Sequence, residues 1–210
     1  MDSGIFITLE GIEGCGKTTQ AGLLKRFLVG QGYEVVLTRE PGGSSISEKI
    51  RQILLDTANS SMVALTELLL YEASRSQHVS ETIWPALRRG AFVICDRFYD
   101  ASTAYQGYGR GIEVETVTEL NLVATGGLKP DLTIVLDLPV AEGLRRLGRN
   151  LDRIEGETPG FHERVRKGYV RIASSEPERV RVVDASGSIE QTFLEIRPIV
   201  EAIIAPKKAR

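Results

Sequence analysis

Short, continuously apolar runs recur along the chain and alternate with longer segments whose apolar residues have helical spacing. Such runs are typical of strands that are buried on both faces, as in parallel sheets. Strands that alternate with helices are joined by right-handed crossovers, which place helices on both faces of one sheet. We therefore predict a three-layer α/β/α fold whose five parallel strands span residues 5–9, 34–38, 91–96, 132–138 and 180–183.

Two stretches interrupt this alternation. Residues 63–89 are predicted to form one long helix, in which Pro85 should cause a kink or a restart because proline lacks an N–H and clashes with the preceding turn. The polar, glycine-containing residues 96–111 are predicted to form a long loop that belongs to the active site. A further helix is predicted over residues 160–174.

The first strand runs directly into the sequence Gly11-x-x-x-x-Gly16-Lys17-Thr18, and an apolar-periodic helix follows it. Strand, glycine-rich loop and helix in this order are typical of a P-loop. The glycines let successive N–H groups point into one concavity, and the helix N-terminus adds the positive end of its dipole. This arrangement predicts a nucleoside triphosphate site that comprises Gly11, Ile12, Glu13, Gly14, Cys15, Gly16, Lys17, Thr18 and Thr19.

Three side chains near this loop have predicted roles in phosphate chemistry. Lys17 should reach the β- and γ-phosphates, and the Thr18 hydroxyl should bind Mg²⁺. Asp96 ends the third strand, where P-loop proteins place the acid that orients Mg²⁺ or its water. Arg97 follows it directly, so Asp96 and Arg97 could instead form a structural ion pair at a strand end. We predict Thr18 and Asp96 as the metal-binding residues.

The basic stretch 145–153 is a second candidate for phosphate chemistry. One interpretation is a solvated helix face. The other is a short mobile lid, over about residues 145–160, that folds over the triphosphate and supplies arginine to the transferring group. A glycine and an asparagine beside the arginines suit a segment that moves. On the second interpretation, Arg149 and Arg153 are the predicted catalytic arginines.

Tyr71 and Arg75 are four residues apart in the long predicted helix and so lie on one of its faces. In one interpretation, Tyr71 packs in the core and Arg75 makes a surface ion pair. In the other, Tyr71 is an aromatic platform for a base and the guanidinium of Arg75 donates to a base carbonyl. Their spacing leaves both interpretations open.

Composition limits the partners and the location. The chain has 210 residues, of which 42% are hydrophobic and 26% charged, as expected for one soluble domain over residues 1–210. Its formal net charge of −2 argues against binding to nucleic acid or to a membrane surface. No apolar run approaches the ~20 residues of a membrane span, and the first residues lack a signal-peptide pattern. Because Cys15 and Cys95 are interpreted as unpaired, we predict a cytoplasmic protein.

Six stretches together resemble the thymidylate (dTMP) kinases of the P-loop nucleoside-monophosphate kinase group, and the bacterial form in particular. The resemblance covers nearly the whole chain and is most specific in Arg39-Glu40-Pro41-Gly42-Gly43 and Ala104-Tyr105-Gln106-Gly107. It implies ATP- and Mg²⁺-dependent phosphorylation of dTMP to dTDP, a step in dTTP synthesis, by a homodimer. The matching stretches are residues 9–19, 38–43, 75–78, 96–99, 104–107 and 152–155.

The resemblance also implies how dTMP is held. Glu13 would sense the 3′-hydroxyl of the sugar, and Tyr105 would crowd the 2′ position and so favour deoxyribose. Arg51 and Arg97 would bind the acceptor phosphate, and Arg97 would also lie near the transferring group, as a catalytic residue beside Lys17. The thymine base would be contacted by Tyr71 through stacking, by Arg75 at a carbonyl, and by the polar side chains of Ser102 and Gln106.

The chain departs from the family pattern at two positions. Cys15 replaces the usual Ala or Ser and adds an oxidisable thiol beside the phosphates, whereas Tyr71 replaces the more frequent Phe and adds a hydroxyl that needs a partner. The loop also lacks the arginine of eukaryotic members, so its charge is assigned to Arg149 and Arg153. Two alternatives remain: another small-acceptor P-loop kinase, of the cytidylate or shikimate type, and a P-loop nucleotide-binding switch.

Overall fold

The computed structural model describes residues 4–148 and 150–208. Its strands are β1 Ile5–Glu10, β2 Val35–Arg39, β3 Phe92–Asp96, β4 Leu132–Asp137 and β5 Val180–Asp184. They pair in parallel in one sheet with the order β2-β3-β1-β4-β5. Each strand therefore lies within about two residues of its predicted position.

Helices cover both faces of this sheet, which confirms the predicted three-layer α/β/α fold. In the described part of the chain the α-helices are α1 Lys17–Gly30, α2 Ser45–Leu55, α3 Ala64–His78, α4 Trp84–Arg88, α5 Tyr99–Ser102, α6 Val114–Thr125, α7 Val140–Arg146, α8 Pro159–Ser175 and α9 Ile189–Lys208. No helix or strand was predicted for the residues of α6. No helix among the described residues is long and apolar enough to cross a bilayer.

β1 is the central strand and is buried along its whole length. Because side chains alternate along a strand, Ile5, Ile7 and Leu9 face one layer of helices and Phe6 faces the other. The first layer contains α1, α8 and α9, and the second contains α4. Burial on both faces explains why the sequence of β1 is a continuous apolar run.

The carboxyl ends of the strands lie along one edge of the sheet. Asp96, the last residue of β3, is in register with Leu9 of β1 and with Arg39 of β2. The loop that contains the glycines follows β1 directly. The P-loop, Arg39 and Asp96 therefore meet at the edge where α/β sheets bind their ligands.

The predicted interruption at Pro85 is confirmed. α3 ends at His78, a π-helical turn spans Val79–Ile83, and α4 then begins with Pro85 in its first turn. The backbone stays helical through this turn, and the π-helical geometry marks the place where the helix adapts to the proline.

The prediction of a long loop over residues 96–111 is wrong. α5 continues into a π-helical segment, Thr103–Gly109, so most of the stretch is helical. Its glycines suggested a loop, but at Gly109 the glycine serves packing: a Cβ there would lie 2.8 Å from the ring of Phe161 on α8. The segment therefore carries its polar side chains on a helical backbone.

Candidate active site

A cleft of about 430 Å³ opens at the carboxyl ends of β1, β2 and β3. It brings together most of the predicted site residues, including both the P-loop and the proposed acceptor half. The predicted residues that line it are Glu13, Gly14, Gly16, Lys17, Thr18, Thr19, Arg51, Tyr71, Asp96, Arg97, Ser102, Tyr105 and Gln106. The predicted residues outside this lining are Gly11, Ile12, Cys15, Arg75 and Arg153.

The P-loop has the backbone conformation that its glycines allow. Gly14 has a φ of 72° and lies so close to α7 that a Cβ would be 2.3 Å from the carbonyl oxygen of Gly143. Gly16, with a φ of 93°, immediately precedes α1. The Lys17 side chain is buried against the loop. Its Nζ donates to the carbonyl oxygens of Ile12 at 2.8 Å and Gly11 at 3.2 Å. The loop backbone thus fixes the position of the ammonium group beside the cleft.

The two predicted metal-binding side chains are in direct contact. The Thr18 hydroxyl, in the first turn of α1, donates to a carboxylate oxygen of Asp96 at 2.6 Å. Both face the cleft, where a hydroxyl and a carboxylate offer the oxygen ligands that Mg²⁺ prefers. The donor set therefore fits Mg²⁺.

Arg97 connects the P-loop with the acceptor half of the cleft. Its Nη1 donates to the carbonyl oxygen of Gly11 at 2.9 Å, and its Nη2 pairs with Glu13 at 2.8 Å. The guanidinium lies 4.9 Å from the ring centroid of Tyr105. Its φ of 72° lies in the left-handed region, which non-glycine residues adopt rarely and mostly at functional sites.

Glu13 is a buried carboxylate that is held ionised. Its Oε1 accepts hydrogen bonds from the Tyr105 hydroxyl at 2.6 Å and from Arg97. Burial by itself would raise the pKa of Glu13, but the charge of Arg97, the neighbouring His162 and the charge of Lys17 together hold that pKa well below its ordinary value. The P-loop therefore presents a fixed negative charge beside its cationic site.

Three of the four residues predicted to contact the base line the cleft. Tyr71, Ser102 and Gln106 contribute to its wall, whereas Arg75 is fully buried behind them. Arg75 donates to Ser102 Oγ at 3.0 Å and pairs with Glu40 at 2.8 Å. Of the two interpretations of Arg75, a surface ion pair is excluded by its burial.

Comparison with known proteins identifies the family of this site. The thymidylate kinase family model matches residues 9–196. The thymidylate kinase of Pelobacter propionicus is 53% identical over 210 residues, covering 96% of this chain and 93% of that one. The thymidylate kinase of Geobacter sp. (strain M21) is 52% identical over 199 residues, covering 91% and 88%. The chain belongs to the thymidylate kinase family.

A solved structure agrees with this membership. The crystal structure of thymidylate kinase from Ehrlichia chaffeensis superposes with a TM-score of 0.78 at 36% sequence identity, covering 95% of this chain and 99% of that one. The predicted family, fold and enzyme class, a dTMP kinase, are confirmed. The individual residue roles stay predictions.

Of the two arginines predicted for the lid, Arg153 is not part of the cleft lining. Arg149 is outside the described residues. Arg153 faces away from the cleft: its Nη1 pairs with Glu67 at 2.6 Å, and its Nε donates to the carbonyl oxygen of Leu54 at 2.8 Å. The physical reason is that Glu67 is fully buried, and a buried carboxylate requires cationic partners, which Arg153 and Arg110 supply.

Arg146 is the lid-side arginine that the sequence analysis missed. It ends α7, lines the cleft, and places its Nη1 3.5 Å from the carbonyl oxygen of Gly14. The signal for it was present, because it belongs to the same basic stretch as Arg153. Which arginine of the stretch lies next to the P-loop depends on where α7 ends, and the sequence did not show that end.

Glu10 is a second buried carboxylate next to the site that sequence reasoning missed. It accepts hydrogen bonds from the Tyr169 hydroxyl at 2.8 Å and from the backbone N–H of Phe98 at 2.7 Å. Burial, with the charge of Asp100, raises the pKa of Glu10 to about 8, against the opposing effect of Arg97 and of these hydrogen bonds. Glu10 is therefore largely protonated at neutral pH.

This shift predicts a pH-dependent stability. Because the pKa of Glu10 rises from 4.5 to about 8 on folding, the folded chain binds more protons than the unfolded chain between pH 4.5 and about 8. The free energy of unfolding should then fall as pH rises through this window, by up to about 1.4 kcal/mol per pH unit, and level off above it. Glu10→Gln should lack this component in denaturant unfolding measured across the window. Parallel pH profiles for the two proteins would contradict a protonated Glu10.

Proposed function

We propose that this cleft transfers the γ-phosphoryl group of ATP to the phosphate of dTMP and so forms dTDP. The observation that carries the proposal is the contact between its two halves: Arg97, from the acceptor half, is bonded to both Glu13 and Gly11 of the P-loop. A donor held by the loop and an acceptor held by Arg97 would meet at one point. Such positioning, with charge neutralisation, accounts for most of the catalysis of phosphoryl transfer.

On the donor side, the P-loop backbone holds the phosphates of ATP and Lys17 neutralises the β- and γ-oxygens. Arg146 adds a charge from the lid side, and Arg149 stays a predicted contributor. Thr18 and Asp96 would hold Mg²⁺, which supplies charge neutralisation on the β- and γ-phosphates when bound. Asp96 also accepts the Thr18 hydrogen bond, which fixes the orientation of that hydroxyl.

On the acceptor side, Arg51 and Arg97 bind the dTMP phosphate. Arg51 faces the cleft from α2 while donating to the carbonyl oxygen of Pro41 at 2.9 Å. The acceptor oxygen of dTMP is already anionic, so the reaction needs no general base. Because the phosphates of ATP and dTMP are both negative, the arginines are needed to offset their repulsion. In-line attack then depends on how these charges orient the two nucleotides.

The sugar and base contacts give the site its selectivity. Glu13 accepts the 3′-hydroxyl, and Tyr105, which is held by Glu13, crowds the 2′ position. Tyr71 stacks on thymine, while Ser102 and Gln106 supply polar contacts. Arg75 is buried behind these side chains and donates a hydrogen bond to Ser102. Any contact between Arg75 and a carbonyl of the base would have to be made from that buried position.

Rates with dTMP and dUMP test the base site. The methyl group that distinguishes them is worth about 1–3 kcal/mol in an apolar pocket, so kcat/KM for dUMP should be about 10–200-fold lower. ADP release, measured by a coupled assay with each nucleotide and with none, gives both numbers. Equal kcat/KM for the two nucleotides would refute a thymine-selective site, and ADP release that no nucleotide stimulates would refute the kinase proposal.

We also propose that the chain is a cytoplasmic homodimer. Exposed apolar side chains lie on the packed helices α3 and α6, namely Leu65, Leu69, Leu122 and Val123. A stripe of this kind supports a face that a second copy covers. Both cysteines are free, which supports a reducing compartment. Sedimentation of the purified chain tests the dimer.

A further inference from the structure

His162 lies in the first turn of α8, directly against the carboxylate of Glu13. Its side chain is only 1% exposed, and its Nδ1 is 3.1 Å from Glu13 Oε2. The distance is that of a hydrogen bond, but the two groups are not aligned for one. Within the described residues, both ring nitrogens of His162 and Glu13 Oε2 are without a hydrogen-bond partner.

The surroundings of Glu13 determine which form of the imidazole fits. Tyr105 and Arg97 both donate to Oε1, so His162 is the group that faces Oε2. An unprotonated Nδ1 would direct its lone pair at an ionised oxygen, which is repulsive. Nδ1 therefore carries the hydrogen, which can be donated to Oε2 when the two groups are aligned.

Packing alone does not explain a histidine at this position. The neighbouring Phe161 fills the core, and its ring meets that of His162 edge-on with centroids 5.4 Å apart. An apolar side chain would fill the same space without burying two nitrogens that lack partners. Buried polar groups without partners are rare in folded proteins, and those beside a site point to a role in it.

The lone pairs of the carboxylate define that role. An ionised carboxylate has about four acceptor positions. Tyr105 and Arg97 use two of them, and an aligned His162 would use a third. Donors at both oxygens would then fix the orientation of the Glu13 carboxylate, which lines the cleft.

We propose that His162 is a positioning residue: it donates its Nδ1 hydrogen to Glu13 Oε2 and so orients the carboxylate that accepts the 3′-hydroxyl of the acceptor sugar. The inference rests on the proposed role of Glu13. Hydrogen bonds of this kind are often misaligned without substrate and tighten when it binds. His162 itself does not line the cleft, so it acts through Glu13.

The test compares dTMP with its 3′-deoxy analogue as acceptors for three variants. His162→Phe removes the donor, and it should raise KM for dTMP about tenfold, as expected for one lost hydrogen bond to a charged group, with kcat within about twofold. KM for the 3′-deoxy acceptor should barely change. His162→Asn, whose amide reaches the Nδ1 position, should restore KM for dTMP. His162→Gln, whose amide reaches the Nε2 position, should not.

Three results would overturn the inference: an equal loss with both acceptors, an unchanged KM for dTMP in His162→Phe, or equal behaviour of the Asn and Gln variants. The comparison of Asn with Gln decides the question even if His162→Phe fails to fold. KM for ATP and the thermal midpoint report general damage. If the unaltered protein has the same KM for dTMP and for the 3′-deoxy acceptor, the proposed role of Glu13 is wrong, whatever the His162 variants show. Failure of the Glu13 proposal is thereby distinguished from failure of the His162 proposal.

Discussion

Replacing Arg97 with alanine is expected to lower kcat for dTMP phosphorylation about 10³–10⁵-fold, the range for an arginine at a phosphoryl-transfer centre. Two functions are lost at once. The guanidinium that bridges the P-loop carbonyl of Gly11 and the carboxylate of Glu13 disappears, and so does the charge next to the transferring group. Steady-state and single-turnover rates, measured together, show whether the loss lies in the chemical step.

Two further variants test whether the loss is specific to Arg97 and whether it depends on the charge alone. Arg89→Ala removes an exposed arginine that lies just before β3 and pairs with Glu34. This control variant should change kcat less than about twofold, because surface ion pairs contribute little. Arg97→Lys keeps the charge but loses the planar fork, so it should recover only part of the rate. A kcat of Arg97→Ala within tenfold of the unaltered protein, with the fold intact, would remove Arg97 from the mechanism.

Lys17→Ala is expected to lower kcat about 10²–10³-fold, as the loss of one preorganised charge at a reacting centre does elsewhere. Lys17 is buried in the loop and donates to Ile12 and Gly11, so its ammonium group is already placed for the phosphates. Circular dichroism and thermal unfolding should show an intact fold, because the contacts that Lys17 makes are confined to this loop and the core of the sheet does not depend on them.

The matched control for Lys17 is Lys25→Ala, which changes an exposed lysine on the same helix, α1. Its kcat and its KM for ATP should stay within about twofold of the unaltered values, as usual for surface substitutions. Near-normal turnover of Lys17→Ala would show that the P-loop lysine has no part in the reaction and would contradict the proposed donor site.

The sheet and the P-loop could be predicted from the sequence because their signals are local. β1, β3 and β4 are buried on both faces, so each is a continuous apolar run that no surface requirement interrupts. The P-loop needs glycine at fixed positions for its positive φ values. Most predicted site residues line the cleft, and the P-loop, Asp96 and Arg97 could be placed there because they lie at or directly after the ends of strands.

The remaining features depend on contacts between distant segments. The π-helical stretch Thr103–Gly109 contains glycines that are explained only by their packing against α8. Arg153 looked like a phosphate ligand until Glu67, a buried carboxylate 86 positions away in the chain, was found beside it. His162 belongs to none of the motifs found in the sequence, yet the fold places it against Glu13. Ion pairs of this kind leave no local periodicity.

The most direct test of the account is a competition for labelled phosphate. The protein is given ATP labelled in its γ-phosphoryl group together with dTMP, dUMP, dCMP, CMP and shikimate at equal concentrations, and the products are separated by chromatography. The account predicts that nearly all of the label enters dTDP, with a small share in dUDP. Label in CDP or in shikimate phosphate would show another small-acceptor kinase, and label released as free phosphate at a rate independent of acceptor would show a nucleotide switch.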